Sequence, residues 1–486
     1  MGACGCVCNS SLTEQKAVKG RGHGTSTVEK HHQINIKHLS VHKFYDLGDK
    51  IGQGSYGTVY RATQRASGKE CAVKCLQTRF KTQSRRCNRE VAVMRSIDHP
   101  NVVKLMESFQ DRRCTYLVVE LCKGGQLLSH CMTEGKPFSE QKTALVLQQI
   151  LRGTLYLHTH SIVHRDLKPD NLLFSSDAPA SDNAVKIIDF GLARKFAVGD
   201  KLKTMVGSPV YVAPEVLNGK GYDSKVDIWS LGATAYVLAC GHLPFRGHTT
   251  QSVLDKVAEG RVSFWPPHWK KASAQTKLFV SSLLCRDPES RPTAAQALSH
   301  AWLASQASPE AASLPCGVVA NLRKFGSQDA FFKAVLHIVA GLLDDAEVGA
   351  LRSAFVALDA DGDGRLSPRE LREGIRLSGF ELSEEELRKT LEGMDVNGNG
   401  AVEYTEFLAA AVDRSKCQGE GLCRYAFDVL DWDGDGEISP QDVKCALHHR
   451  NLSGALGAEF QAIAESMPVD RARSLNLDDF TALLCR

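Results

Sequence analysis

Apolar and polar positions follow four different regimes along this chain. Between Ser10 and Val41 the residues are polar, rich in Gly, Ser and His, and show no apolar period, so disorder is expected there. From residue 44, strand-like apolar runs flank a glycine-rich stretch at 51–59. Further strands are predicted at Cys71-Ala72-Val73-Lys74, Tyr116–Cys122 and Ala184–Ile188, and Asn88-Arg89-Glu90-Val91 opens a helix-periodic segment. This pattern predicts a mostly β lobe over roughly 44–118, then a helical lobe ending near Trp302. After a Ser/Ala/Pro-rich linker, Ser305 to Pro315, the residues Val318, Leu322, Phe325, Phe331, Val335, Ile338 and Leu342 recur at helical spacing. Arg323, Lys324 and Lys333 fall on the polar side of that stripe. In the last regime, acidic loops return every 36 residues, the signature of a repeat array.

A chain of 486 residues is too long for one core. The patterning divides it into an arm (1–43), a two-lobed domain (44–303), a junction (304–345) and a repeat domain (346–486). The net charge of +3 hides an asymmetry, since residues 344–486 hold 29 acidic against 15 basic residues. A basic front and an acidic back attract each other, and an acidic module suits divalent cations. The basic charges are dispersed, without the clustered stripe and stacking aromatics of a nucleic-acid binder, so no nucleic acid is expected. No apolar run is long enough for a membrane span, and the N-terminus has no apolar secretory core. The 16 cysteines are scattered rather than spaced as a framework, which points to reduced thiols and a cytoplasmic setting.

The chemistry centres on His164-Arg165-Asp166-Leu167-Lys168-Pro169-Asp170-Asn171. Such a loop suits phosphoryl transfer: Asp166 to orient an attacking hydroxyl, Lys168 beside the transferred group, Asn171 to hold magnesium. Ile51-Gly52-Gln53-Gly54-Ser55-Tyr56-Gly57-Thr58-Val59 supplies glycines that let backbone amides close over phosphates. Lys74 follows on a strand to pair with those phosphates, with Glu90 as its carboxylate partner. Asp189, in Asp189-Phe190-Gly191, would chelate magnesium.

These motifs resemble the eukaryotic protein kinase family, and Lys168 points to Ser/Thr specificity. The resemblance implies a bilobal α+β kinase fold. It also implies ATP contacts from Ile51, Gly52, Gly54, Gly57, Val59, Ala72, Lys74, the backbone of Glu120 and Cys122, Asn171 and Asp189, with Val119 as gatekeeper. Glu215 would pair with Arg291, and Asp227 would support the catalytic-loop backbone. Many basophilic kinases carry Glu where Gln126 stands, so no preference for basic substrates is expected.

In the repeat domain, Asp359, Asp361, Asp363, the Arg365 carbonyl, Ser367 and Glu370 form one EF-hand ligand set, with Gly364 at the turn. Asp395, Asn397, Asn399, the Ala401 carbonyl, Glu403 and Glu406 form a second, with Gly400 at the turn. A third runs through Asp431, Asp433, Asp435, the Glu437 carbonyl, Ser439 and Asp442, one methylene short at its twelfth position. A fourth repeat aligns Leu475 with Leu366, Val402 and Ile438. It carries Pro468, Ala472 and Arg473 at ligand and turn positions, so it is expected to be metal-free. The basic amphipathic junction beside them is either a packing helix or a target for an EF-hand groove.

A kinase domain, a basic junction and EF hands in one chain are similar to the calcium-dependent protein kinases of plants and apicomplexans. That likeness implies ATP, Mg2+ and Ca2+ as cofactors, protein substrates, and autoinhibition relieved by calcium. An acidic residue often stands at Thr204 in that family, so Thr204 is either a phosphorylation site facing Arg165 or a solvated loop residue. Met1-Gly2-Ala3-Cys4-Gly5-Cys6 resembles a myristoylation signal, though Cys6 replaces the usual Ser or Thr. Acylation at Gly2 with palmitoylation at Cys4, Cys6 or Cys8 would place the chain at a membrane. It is expected to act as a monomer. Two other classes compete: a calcium-sensing pseudokinase, and a kinase controlled by separate calmodulin.

Overall fold

The computed structural model describes residues 36–484 apart from 55–56, 79, 134–136, 180–182, 198, 266, 271, 307–313, 316, 414–418 and 450–473. Five strands open the fold: β1 (Tyr45–Gly54), β2 (Gly57–Gln64), β3 (Glu70–Gln77), β4 (Leu105–Gln110) and β5 (Cys114–Glu120). They form one antiparallel sheet in the order β1-β2-β3-β5-β4. Alternation along β3 separates two cores, as a two-residue period must. Cys71 and Val73 join Tyr45, Phe109 and Val118 on the outer face, while Leu76 joins Val91 and Met94 of helix α1 (Lys81–Arg95).

The helical lobe contains α2 (Leu127–Thr133), α3 (Glu140–Thr159), α4 (Pro214–Leu217), α5 (Lys225–Cys240), α6 (Thr250–Glu259), α7 (Ala274–Leu283), α8 (Ala294–Leu298) and α9 (Ala301–Gln306). Helix α5 is apolar on every side and buried through nearly its whole length. Short pairs β6 (Ile162–Val163) with β9 (Arg194–Lys195), and β7 (Leu172–Phe174) with β8 (Val185–Ile187), bracket the loops that carry the candidate chemistry.

Beyond the linker lie α10 (Val318–Gly326) and α11 (Ala330–Leu342). The repeat domain follows as α12 (Asp345–Leu358), β10 (Arg365–Leu366), α13 (Pro368–Leu377), α14 (Glu384–Met394), β11 (Val402–Glu403), α15 (Tyr404–Ala411), α16 (Glu420–Leu430), α17 (Pro440–His449) and α18 (Leu477–Leu484). Leu366 pairs with Val402, and Ile438 with Leu475, so the four positions that the repeat aligns pair two by two. The fourth repeat's loop lies largely outside the described residues.

The junction stripe becomes more than a stripe. Helix α10 packs on α14 and α15, and α11 on α15 and α16. Of residues 331–342 only Lys333 is not buried, because α11 is enclosed within one core that runs from the EF hands to the outer face of the β sheet. The arm also needs correction. Disorder was expected to Val41, yet Ile36 and Lys37 are buried and residues 41–43 form a turn of 3-10 helix. Pairing with the edge of β4 fixes them: the Lys37 N–H donates to Ser108 (3.2 Å) and the Gln110 N–H to Lys37 (3.0 Å).

Candidate active site and cation loops

The loop from His164 to Asn171 is held from below. Asp227, fully buried in the first turn of α5, accepts the backbone N–H groups of His164 (2.9 Å) and Arg165 (2.8 Å). It also lies 2.9 Å from His158 Nε2. Arg165 takes a positive φ of 70°, a conformation that non-glycine residues rarely adopt without such support. Burial works against the Asp227 charge, but its bonds to His158 and the loop hold its pKa below the usual carboxylate range.

Three groups converge on Asp166. Asn171 Nδ2 donates to its carbonyl (2.8 Å) and its carboxylate (3.1 Å), and Lys168 Nζ stands 3.0 Å away. The third is Ser208, which sequence reasoning missed. Its hydroxyl donates to Asp166 (2.9 Å) and accepts from Lys168 (2.9 Å). Ser208 follows Gly207 in the activation segment, and only the fold brings it across to the catalytic loop.

Lys74 Nζ lies 2.6 Å from Glu90 and 2.7 Å from Asp189. Burial disfavours the ammonium, yet Asp189 and Glu90 outweigh it and keep the Lys74 pKa above its ordinary value. The same ammonium holds Asp189 well below the usual range. Asp189 has φ of 63° and caps the turn Phe190–Leu192. Gly57 must be glycine, since a Cβ there would stand 2.3 Å from the Cys75 carbonyl oxygen. Glu215 and Arg291 pair at 2.8 Å, as expected.

Two details add to the expected site. The Glu120 carboxylate was given no role, but it pairs at 2.9 Å with buried Lys186, which stands 3.5 Å from Asp345 of α12. Arg165 reaches the Thr204 backbone through Tyr222. Its guanidinium bonds Leu192 O (2.8 Å) and the Tyr222 hydroxyl (3.0 Å), and that hydroxyl donates to the Thr204 carbonyl (2.7 Å). Gly2, Cys4, Cys6 and Cys8 lie outside the described residues.

The EF-hand loops are folded for cations. Carboxylate oxygens of Asp359, Asp361 and Asp363 lie within 4.8 Å of one another, as do those of Asp431, Asp433 and Asp435. Backbone N–H groups orient the first ligand of each loop: Gly364 to Asp359 (3.1 Å), Gly400 to Asp395 (2.8 Å) and Gly436 to Asp431 (3.0 Å). Asp359 Oδ1 is buried without a hydrogen-bond partner among the described residues. Glu406 is fully buried, its oxygens accepting the N–H groups of Asn397 (3.1 Å) and Glu403 (2.9 Å). Burial pushes Asp359 and Glu403 up to about 7 and Glu406 to about 8. Buried carboxylates short of partners are the electrostatic complement of a divalent cation.

Residues 45–303 match the protein kinase domain, and residues 350–412 match the EF-hand domain pair. Calcium-dependent protein kinase 5 of Plasmodium falciparum is 36% identical over 397 residues, covering 81% of this chain and 69% of that protein. Calcium-dependent protein kinase 17 of Arabidopsis thaliana is 33% identical over 445 residues, covering 90% and 83%.

This chain belongs to the calcium-dependent protein kinases. As a kinase of this family it has a β-sheet N-lobe, a helical C-lobe and a helical EF-hand region. The kinase domain implies ATP and Mg2+, and the EF hands imply Ca2+. The residues present fit both groups. Lys74 pairs with Asp189, Asn171 bonds Asp166, and the carboxylate cages line the EF loops.

Proposed function

We propose that this kinase transfers the ATP γ-phosphate to Ser or Thr hydroxyls of protein substrates, and that the junction and calcium-free EF hands hold it inactive. Asp166 orients the substrate hydroxyl and takes its proton, steadied by Ser208 and Asn171. Lys168 and Lys74 offset charge on the transferred and neighbouring phosphates. Magnesium held by Asn171 and Asp189 would supply the remaining neutralisation. One observation carries the regulatory reading: the Lys74–Glu90 pair is formed at 2.6 Å while α10 and α11 are engaged by the EF hands. That arrangement supports reading this conformation as the released enzyme. In low calcium the hands would free α10 and α11 to hold the kinase inactive.

The test is Glu370→Ala combined with Glu406→Ala. Calcium stimulation should vanish while the kinase domain remains folded, and unchanged stimulation would sink the switch. Asp166→Ala should abolish phosphate transfer. The lipidation reading adds a cytoplasmic monomer held at membranes through acyl groups on Gly2, Cys4, Cys6 or Cys8. For that reading Gly2→Ala should shift the protein from the membrane to the soluble fraction. Phosphate incorporation at Thr204, compared with a Thr204→Ala variant, tests the second layer of control.

A further inference from the structure

Residues 36–44 run between the kinase sheet and the third EF hand and touch both. Their backbone pairs with the edge of β4. Lys37, buried to 2% exposure, reaches Glu107 of β4 (3.1 Å), donates to the Asp428 carbonyl at the end of α16 (2.8 Å), and lies 5.4 Å from the Trp432 ring. Trp432 is the second residue of the Asp431–Asp442 loop. Six residues on, Lys43 donates to the Gly434 carbonyl inside that loop (2.6 Å), and Leu39 packs against the same glycine. The segment thus holds the third hand at two points, Lys37 at the end of α16 and Lys43 inside the loop.

We propose that residues 36–44 are an intramolecular ligand of the third EF hand, whose docking opposes the loading of the Asp431–Asp442 loop with a divalent cation. The argument is electrostatic and specific to this hand. Lys37 is balanced by Glu107, but Lys43 meets a carbonyl and the Phe44 ring (5.4 Å) and forms no ion pair among the described residues. Its ammonium sits on the backbone of the loop that carries Asp431, Asp433 and Asp435, where a cation would add two more positive charges. The Gly434 carbonyl is not itself an EF-hand ligand, so the ammonium does not block the site. It makes loading less favourable while the segment is docked. Coupling between two ligands is reciprocal, so loading the loop loosens the segment by the same factor. The third hand, with Asp442 in place of Glu at its twelfth position, would then report calcium to the N-terminal arm as well as to the kinase.

The experiment uses the full chain and terbium. Trp432 adjoins this loop alone, while Trp229, Trp265, Trp269 and Trp302 all lie in the kinase domain. Terbium emission excited at the red edge of tryptophan absorption therefore reads the third loop. Exposed Lys43 can be changed with little risk to folding. Lys43→Gln should tighten terbium at this loop about threefold, and Lys43→Glu about tenfold, at low salt. In the parent, saturating calcium should speed amide hydrogen exchange over residues 36–44, and Asp433→Asn should remove that effect. Equal terbium affinity in the parent and both Lys43 variants would overturn the coupling, as would unchanged exchange. The inference rests on the third loop being a cation site. Absence of Trp432-sensitised emission would overturn it too, while leaving control by the first two hands standing.

Discussion

Thr405, in the first turn of α15, gives its backbone N–H and its hydroxyl to the two carboxylate oxygens of Asp98, each at 2.7 Å. Asp98 lies in the turn that follows α1, and α1 carries Glu90, so the second EF hand is bonded to the turn that positions the Lys74 partner. Hydrogen bonds to an ionised acceptor contribute about 1.5–3 kcal/mol each. Asp98→Ala removes both, and should raise the calcium concentration for half-maximal activity at least about tenfold while sparing the basal rate. Thr405→Val removes one and should shift it less. Superimposable calcium curves for the parent and both variants would contradict this route.

Asp227 touches no substrate position but holds the backbone of His164 and Arg165. Asp227→Asn keeps the shape and removes the charge and one acceptor oxygen. With φ at Arg165 no longer enforced, Asp166 would sample misaligned positions. The expected result is a fall in kcat of about a hundredfold, the equivalent of ~3 kcal/mol, with KM for ATP changed less than about threefold. A rise in KM with kcat intact would assign Asp227 to binding instead.

What was legible in the sequence is what local spacing encodes. The glycine loop, the catalytic loop and the EF-hand ligand sets are contiguous, so their residue types and intervals fix their geometry. The repeat set Leu366, Val402, Ile438 and Leu475 at equivalent positions, and the structure adds that they pair two by two, Leu366 with Val402 and Ile438 with Leu475. Ser208 was illegible because it reaches Asp166 across 42 residues through the path of the activation segment. Lys37 and Lys186 were illegible for a related reason. A lysine in a polar arm or on a strand reads as solvated, and only the docked module shows that each is buried among acids. Helix α11 read as amphipathic because Lys333 marks its polar side, whereas two neighbouring modules bury every other residue from Phe331 to Leu342.

Lys186 joins the hinge to the regulatory domain through Glu120 (2.9 Å) and Asp345 (3.5 Å), and Arg352 adds a second cation 3.5 Å from Asp345. Burial works against the lysine charge, but Asp345 and Glu120 overcome it and raise its pKa. Lys186→Met would leave two acids in a poorly solvated cleft, at a cost of about 3–5 kcal/mol. Pairing it with Asp345→Asn should recover part of that loss, since one stranded charge disappears. Chemical denaturation of the four proteins in the cycle gives the coupling, and strictly additive losses would mean that the two residues do not interact.

The last prediction concerns pH. Asp359 and Glu403 are raised to about 7 and Glu406 to about 8, all chiefly by burial. In the unfolded chain these groups titrate near 4. Between about pH 4 and 8 these three carboxyls therefore bind more protons in the calcium-free folded state than in the unfolded chain, and their contribution to stability falls as pH rises through that window. Calcium reverses the sign. Binding needs the carboxylates ionised, so it expels their protons, and affinity at the first two loops should increase by roughly tenfold per pH unit for each proton released. Thermal unfolding with chelator at pH 5.5 and pH 8 should show the higher Tm at the lower pH, and saturating calcium should erase or invert that order. Calcium titrations in buffers of different ionisation enthalpy should count the protons released at neutral pH. Zero release would mean that the buried acids are already ionised before calcium arrives.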